Sequence, residues 1–376
     1  MNVIFNKPLV LGTEQELLGQ VIASGQFSAN GEYTRKCHQI LENELNYRKA
    51  LLTTSCTSAL ELSALLLNIG LGDEVIIPSY AFVTTANVFA NRGAKIVFAD
   101  SREDNPNINE AQISGLITSK TKAIVALHYG GVACNMTEIV AIARKHNIAV
   151  IEDNAQGIGS TYQGSPLGGI GDLGAISFHE TKNVHCGEGG ALLVNNQSLI
   201  NKADVAWDMG TNKADYKAGK VDSYGWVATG SSYYPSELNA AFLFSQLQKL
   251  SSVNEQRLML WNQYDRGLEN LEANGVIKRP LIPENTTHNA HTFYLVLNNR
   301  KERDGLITFL AEQGIGAPFH FQSLHQSPYF KDQYEGPELR NSDQYTDCLI
   351  RLPLHHGLRP NELEYVVNNV QAYYKN

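Results

Sequence analysis

Short apolar runs rich in β-branched residues alternate with longer amphipathic segments between about residues 50 and 195. This order predicts a mostly parallel sheet covered by helices, because parallel strands need a long crossover between them. Seven strands are predicted, namely Lys49 to Thr53, Glu74 to Pro78, Lys95 to Ala99, Ala123 to His128, Ala149 to Glu152, Ala175 to Phe178 and Ala191 to Val194. Helices are predicted where apolar residues recur at spacings of three and four, at Ser58 to Asn68, Thr84 to Asn91, Met136 to His146 and Leu199 to Asp208.

The pattern changes in the last third of the chain. A long helical pattern from Ser236 to Leu271 leads into a predicted strand at Thr292 to Leu297, a helix at Arg303 to Gln313 and a closing helix at Asn361 to Tyr374. We therefore expect an α/β protein of two domains. Residues 1–250 form a large domain around the mostly parallel seven-stranded sheet, and its N-terminal segment packs partly on the other domain. Residues 251–376 form a smaller C-terminal α/β domain.

Composition narrows the class of protein. Apolar residues make up 43% of the 376 residues and charged residues 18%, which is ordinary for a globular protein. The net charge is −8 and the chain has no lysine or arginine block, which argues against a nucleic-acid or membrane partner. Since there is neither a leader pattern nor an 18-residue apolar run, we expect a cytoplasmic protein that binds small molecules. The five cysteines are scattered and indicate neither a disulfide framework nor a zinc site.

Two short patterns match part of a dinucleotide-binding motif or a metal site, but neither has the neighbouring residues that such a site requires. The glycines from Gly169 to Gly174 match G-x-G-x-x-G, but a dinucleotide site needs a helix after them, and here a strand-like run follows. We therefore predict a turn that enters a strand. His320 and His325 are five residues apart and have no carboxylate or cysteine beside them, so ordinary loop or pocket histidines are favoured over a metal site, and none is predicted.

Three polar segments follow predicted strands and belong at the carboxyl edge of the sheet, where open α/β folds bind ligands: Thr54 to Ser58, Glu152 to Gln156 and Ser177 to Asn183. A pyridoxal phosphate site needs a lysine for the Schiff base, an aspartate that keeps the pyridine nitrogen protonated, and donors at a helix N-terminus for the phosphate. Lys182, Asp153 and the segment around Thr57 match these parts. Each has an ordinary interpretation alone, as a solvated lysine or a helix cap, but their joint placement favours the cofactor site.

At these residues the chain resembles the DegT/StrS family of nucleotide-sugar aminotransferases, and the resemblance covers essentially the whole chain. It is carried by Glu152-Asp153-x-Ala155-Gln156 and by Ser177-Phe178-His179-Glu180-Thr181-Lys182 with Gly187-Glu188-Gly189-Gly190 after it. The resemblance implies the aspartate-aminotransferase-like fold, which is fold type I of the pyridoxal phosphate enzymes. It also implies pyridoxal 5'-phosphate as the cofactor, Lys182 as the Schiff-base residue and proton carrier, and Asp153 as the partner of the ring nitrogen.

The same resemblance implies further contacts with the cofactor. Gln156 lies beside the ring hydroxyl, and Phe82 or Tyr80 covers the ring face. The phosphate is held by backbone N–H groups of Cys56 and Thr57 and by the hydroxyls of Thr57 and Ser177. The family forms homodimers with shared active sites, in which the loop from Gly210 to Tyr234 reaches the neighbouring subunit. Ser232 stands there in place of the commoner asparagine that contacts the neighbour's phosphate.

The residues around Lys182 resemble one subgroup of the family. That subgroup implies transfer of the amino group of L-glutamate to the C4 ketone of a dTDP-4-keto-6-deoxyhexose, dTDP-4-dehydro-6-deoxy-D-glucose. The products are dTDP-4-amino-4,6-dideoxy-D-galactose and 2-oxoglutarate. The gluco epimer at C4 and amination at C3 stay open. A sugar dehydratase of the family would carry histidine instead of Lys182, and a non-catalytic sensor would not need the intact set of Lys182, Asp153 and Gln156.

Overall fold

The computed structural model describes residues 1–375. Its strands are, in chain order, β1 (Ala50–Thr53), β2 (Glu74–Pro78), β3 (Lys95–Ala99), β4 (Thr121–Leu127), β5 (Ala149–Asn154), β6 (Thr161–Tyr162), β7 (Ser165–Pro166), β8 (Leu173–Ser177), β9 (Gly190–Val194), β10 (Ile277–Lys278), β11 (Thr286–Thr287), β12 (Phe293–Leu297) and β13 (Leu349–Leu352). Its α-helices are α1 (Glu14–Ser24), α2 (Glu32–Gln39), α3 (Cys56–Leu66), α4 (Val83–Ala90), α5 (Glu110–Leu116), α6 (Met136–His146), α7 (Ile200–Trp207), α8 (Lys213–Lys217), α9 (Glu237–Leu247), α10 (Leu250–Ala273), α11 (Arg300–Glu312), α12 (Arg340–Cys348) and α13 (Pro360–Tyr373).

The central sheet has seven strands in the order β1-β9-β8-β5-β4-β2-β3. Strand β9 runs antiparallel to both of its neighbours, and the other six strands run in one direction. The predicted α/β class with a mostly parallel seven-stranded sheet is therefore confirmed. The central strands are almost wholly buried because helices cover both faces of the sheet.

The long helical pattern from Ser236 to Leu271 does not form one helix, so that prediction is wrong in its continuity. It is divided between α9 and α10, and the chain leaves helical geometry at Lys249, where φ is −112° and ψ is 6°. The Lys249 N–H donates to the Gln246 carbonyl three residues back, which tightens the last turn of α9. The two helices therefore bury separate faces, α9 against the central sheet and α10 against the C-terminal part of the chain.

The C-terminal part of the chain forms a three-stranded antiparallel sheet in the order β10-β12-β13, packed against α10, α11 and α13. The first residues of the chain join this core. Val3 is buried in it and pairs with Ile315, and the Phe5 carbonyl accepts a hydrogen bond from the Leu354 N–H. The N-terminal segment therefore lies against β13, whose position matters for the site described below.

The glycine-rich segment before β8 is a turn that enters the strand, as the sequence pattern indicates. The N–H groups of Gly168, Ile170 and Gly171 donate to the carboxylate of Glu152, at 2.8, 2.7 and 2.6 Å. The turn therefore binds a carboxylate of the chain itself rather than a pyrophosphate. Among residues 1–375, no helix is both long and apolar enough to cross a membrane.

Candidate functional site

A cavity of about 910 Å³ opens at the carboxyl ends of the central strands and is closed on its far side by the C-terminal part of the chain. Its size suits a cofactor together with a substrate. Seven of the residues singled out from the sequence line it, namely Cys56, Thr57, Phe82, Asp153, Gln156, Ser177 and Lys182. Parallel strands bring them together because each residue follows or ends a strand at the same edge of the sheet.

Lys182 lies in the loop between β8 and β9, and its backbone N–H donates to the His179 carbonyl at 2.9 Å. Burial lowers the pKa of its amine, and the nearby Arg351 lowers it further, whereas the Asp153 carboxylate acts in the opposite direction. A lowered pKa leaves a larger share of the amine neutral near pH 7. Lys182 is therefore suited both to attack a carbonyl carbon and to accept a proton.

Asp153 ends β5 with its side chain only 3% exposed. The Thr85 hydroxyl donates to one carboxylate oxygen at 2.7 Å, and the Ala155 N–H donates to the other at 3.2 Å. Burial raises the pKa of Asp153, while these two hydrogen bonds favour its charged form. The carboxylate is thereby held in one orientation at the cavity wall. Thr85 was not predicted as a site residue, and its place in the first turn of α4 gave no sequence signal.

The N-terminus of α3 forms the opposite end of the cavity. Ser55 caps the helix, since its hydroxyl accepts a hydrogen bond from the Ser58 N–H at 3.1 Å. The N–H groups of Cys56 and Thr57 precede the first intrahelical bond and are available to an anion. Strand β9 approaches this turn closely, because a Cβ on Gly190 would lie 2.5 Å from the Cys56 nitrogen. Position 190 therefore requires glycine, because a side chain there would collide with the backbone at the start of α3.

The wall between these two ends holds the other predicted cofactor contacts. Gln156 accepts a hydrogen bond from the Gly130 N–H at 2.6 Å through Oε1, which leaves its amide N–H groups to donate into the cavity. Ser177 ends β8 on the same wall. Phe82 stands at the rim and is 56% exposed. Tyr80 was the other candidate for the ring face, and that interpretation is wrong, because its ring is fully buried between Tyr129 and Tyr345.

Ser232 does not line the cavity of its own chain. It is exposed and forms an isolated bridge with Asp208, at the end of a stretch in which residues 216–232 are all exposed. Trp226 in this stretch is 80% exposed. The stretch from Gly210 to Tyr234 is also less irregular than expected, because it contains the short helix α8.

Three ionisable residues that line the cavity come from the C-terminal part of the chain and were not assigned to the site: His291, His320 and Arg351. Arg351 carried a sequence signal, because it is the one charged residue in the apolar run Leu349-Ile350-Arg351-Leu352. The side chains of His320 and His325 lie in different surroundings. His325 is buried with its Nδ1 2.7 Å from the Ser79 hydroxyl, whereas His320 faces the cavity.

The chain matches the DegT/DnrJ/EryC1/StrS aminotransferase family over residues 11–371 and belongs to it. It is 33% identical to an uncharacterized protein of Methanocaldococcus jannaschii, with 91% of this chain and 90% of that protein covered. It is 30% identical to the spore coat polysaccharide biosynthesis protein SpsC of Bacillus subtilis, with 99% and 97% covered. Among solved structures, an aminotransferase from Psychrobacter cryohalolentis superposes with a TM-score of 0.92, 28% identity and 98% of each chain covered.

The protein is therefore an aminotransferase, and its cofactor is pyridoxal 5'-phosphate. The cavity fits this group. It offers an amine of lowered pKa at Lys182, an oriented carboxylate at Asp153 and free backbone donors at the start of α3. These are the three kinds of group that the aldehyde, the ring nitrogen and the phosphate require.

The first prediction concerns the residue that carries the cofactor. Borohydride reduction of the protein with its cofactor should attach a pyridoxyl group to Lys182, because its amine faces the cavity with a lowered pKa. Mass spectrometry of the peptides should find the label on Lys182 alone. The Lys182→Ala variant should remain unlabelled, whereas Lys145→Ala, which removes an exposed lysine, should be labelled like the wild type. A label on any other lysine would contradict the assignment.

Proposed function

We propose that the protein transfers the amino group of L-glutamate to the C4 ketone of dTDP-4-dehydro-6-deoxy-D-glucose, giving dTDP-4-amino-4,6-dideoxy-D-galactose and 2-oxoglutarate. The observation that carries the proposal is the cavity in which Lys182 and Asp153 face the N-terminus of α3. A sugar acceptor is supported by the family and by SpsC, whose name places it in polysaccharide biosynthesis. The nucleotide and the position of the ketone rest on the residues around Lys182.

The proposed reaction assigns proton transfer to Lys182. When bound, pyridoxal phosphate supplies the carbon that carries the amino group between substrates and a ring that withdraws electrons from the reacting carbon. The neutral amine of Lys182 takes the proton from Cα of glutamate. With the ketone substrate, the Lys182 ammonium gives a proton to the sugar carbon that receives the amine. A lowered pKa suits both steps, because it brings the two protonation states closer in free energy at neutral pH.

The other residues of the cavity hold and orient the cofactor in this proposal. Asp153 pairs with the ring nitrogen and is kept in place by Thr85. The backbone N–H groups of Cys56 and Thr57, with the Thr57 and Ser177 hydroxyls, hold the phosphate. Gln156 donates to the ring oxygen, and Phe82 covers the ring face from the rim. A thiol at Cys56 is tolerated because burial keeps its pKa well above the usual value, so it adds no negative charge beside the phosphate.

The second prediction tests the function directly. Purified protein with its cofactor, glutamate and dTDP-4-dehydro-6-deoxy-D-glucose should form 2-oxoglutarate and an amino sugar in equal amounts. NMR of the product should show an axial amine at C4, since the H3–H4 and H4–H5 couplings distinguish the galacto from the gluco configuration. Large couplings would identify the gluco epimer, and a shifted C3 signal would identify amination at C3.

A matched variant separates catalysis from binding in the same assay. The Asp153→Asn protein should still bind the cofactor but turn over about 100-fold more slowly, which corresponds to about 2.7 kcal/mol of barrier, because the amide lacks the charge that keeps the ring nitrogen protonated. Near-normal turnover in this variant would show that another residue faces the nitrogen. A wild-type protein that binds sugar nucleotide but never releases 2-oxoglutarate would be the non-catalytic sensor instead.

We infer that Arg351 receives a carboxylate of the amino donor. Its guanidinium lies over the Phe5 ring, 4.6 Å from the ring centroid, and one amino group donates to the Phe319 carbonyl at 3.0 Å. Its buried Nε has no hydrogen-bond partner among residues 1–375. A half-buried guanidinium whose buried Nε has no partner is costly, and a planar fork of donors matches a carboxylate in two hydrogen bonds. Glutamate offers that group, and the adjacent Phe5 ring fixes the plane in which it is received.

The third prediction tests whether the Arg351 guanidinium binds the carboxylate of the amino donor. In the Arg351→Met variant, the glutamate concentration that gives half-maximal amination of the cofactor should rise 10- to 100-fold, the range expected for a lost charged hydrogen bond. Calorimetry should show the same loss for glutarate, which cannot react. Arg351→Lys should restore part of the affinity by its charge alone, and Arg340→Met, which removes an exposed arginine, should change nothing. Unaltered glutarate binding in Arg351→Met would refute the assignment.

We also propose that the protein is a homodimer in which Ser232 contacts the phosphate in the neighbouring subunit. The support is the exposed stretch of residues 216–232, whose large side chains include Trp226 and Tyr224. A stretch of this length with exposed aromatic residues is typical of an interface. A two-fold axis would place the same stretch at both active sites.

The fourth prediction uses two inactive variants. Lys182→Ala lacks the reactive amine, and Ser232→Asp should weaken phosphate binding by charge repulsion across the interface. Co-expressed with different tags, they should form heterodimers in which one site carries neither change. With random pairing, roughly a quarter of all sites should therefore carry neither change, and the mixture should show roughly a quarter of the wild-type activity. Purified heterodimers without activity would show that Ser232 serves its own subunit, whereas a fully active Ser232→Asp homodimer would show that Ser232 has no part in the site.

A further inference from the structure

The two histidines five residues apart have different surroundings. His325 is buried, contacts Ser79 and lies 3.6 Å from a carboxylate oxygen of Asp343, so it joins α12 to the end of β2. His320 is a wall residue of the cavity. The reaction proposed above gives His320 no part, although it faces the space that the substrates must occupy.

The ring of His320 is fixed in two directions. It stacks on the Phe321 ring with centroids 3.7 Å apart and planes at 22°. Its Nδ1 lies 2.7 Å from the Tyr129 hydroxyl oxygen. Tyr129 itself is 1% exposed and packs edge-on against Tyr294 and Phe321. The imidazole is therefore held by a rigid aromatic cluster before any substrate enters.

This contact determines which nitrogen carries the proton. The Tyr129 hydroxyl is buried and its hydrogen-bond contact is His320 Nδ1, while the neighbouring Tyr80 hydroxyl makes no hydrogen bond in the described chain. Because a buried hydroxyl that donates to nothing is costly, Tyr129 donates and Nδ1 accepts. Burial holds the pKa of His320 well below its usual value, and the charges of Arg351 and Lys182 act in the same direction. The neutral ring therefore carries its proton on Nε2.

We propose that His320 Nε2–H donates a hydrogen bond to a hydroxyl or keto oxygen of the sugar acceptor, and that Tyr129 is the positioning residue that fixes this tautomer. The inference rests on the proposed sugar substrate and names a residue that recognises it. A neutral donor suits the uncharged oxygens of a sugar, whereas Arg351 in the same cavity suits a carboxylate. Phe321 and Phe82, with centroids 6.2 Å apart, provide apolar surface for the carbon face of the sugar.

The fifth prediction separates the two halves of the reaction in the protein with its cofactor. Glutamate first aminates the cofactor, which the absorbance change follows, and dTDP-4-dehydro-6-deoxy-D-glucose then removes the amino group. In His320→Phe, which keeps the stacking on Phe321, kcat/KM for the sugar should fall 10- to 100-fold while the glutamate half stays within twofold of wild type. His320→Gln retains a side-chain N–H and should recover part of the loss. His146→Phe, at an exposed site, is the control.

The tautomer gives a readout that does not depend on activity. Nitrogen NMR of protein labelled at histidine should show His320 protonated on Nε2 in the wild type, and Tyr129→Phe should shift the ring toward a mixture of tautomers. The same variant should lose sugar kcat/KM without loss in the glutamate half. A wild-type ring protonated on Nδ1 would overturn the inference.

Two further outcomes distinguish this inference from the proposed function. Equal losses in both halves in His320→Phe, or a sugar half that matches wild type, would refute the role of His320 while leaving the aminotransferase intact. A wild-type protein that glutamate aminates but this sugar does not discharge would refute the proposed acceptor instead.

Discussion

The carboxylate of Glu152 is the point on which the geometry of the cavity depends. It is fully buried and accepts hydrogen bonds from three N–H groups of the glycine turn and from His128 Nε2, at 2.9 Å. Nδ1 of His128 accepts from the Cys134 N–H, so the proton that the ring donates to Glu152 is on Nε2. Four donors on one buried carboxylate hold β5 in a single register, because a shift by one residue would leave all of them unpaired.

That register directs Asp153 into the cavity. Side chains alternate along a strand, so a Glu152 held on one face of the sheet places Asp153 on the other. The network extends further, since His128 leads directly into Tyr129 and Gly130, which contact His320 and Gln156. The glycine turn that binds Glu152 also leads into β8 and from there to Lys182. A structural carboxylate therefore aligns residues on four separate segments, although it does not line the cavity itself.

The sequence predicted the central sheet well because its strands are mostly apolar runs bounded by polar loops, and the structure moves their ends by two residues at most. Strands of two residues, such as β6 and β10, are too short to show any period. The break between α9 and α10 has no glycine or proline to mark it, because packing of two separate faces sets it. Site residues at strand ends could be found for the same topological reason. Thr85 and His320 could not be assigned, and Arg351 stood out only as a charge within an apolar run, since tertiary folding alone brings α4 and the C-terminal part to that edge.

The two sides of the cavity therefore differ in chemistry. The central sheet contributes Lys182 and Asp153 at its carboxyl edge, whereas the C-terminal part contributes Arg351 and His320. One lysine has to react with two substrates in turn, one with free carboxylates and one whose sugar ring is uncharged. The cation of Arg351 and the neutral donor of His320 lie on the same wall and can distinguish the two substrates without movement of Lys182. A sugar oxygen at Arg351, or a carboxylate at His320, would be imperfectly paired. Arg351 also lowers the pKa of Lys182, so a donor carboxylate bound to Arg351 would partly cancel that effect. With the amino donor bound, the neutral amine would then be a stronger base, which suits it to take a proton from Cα.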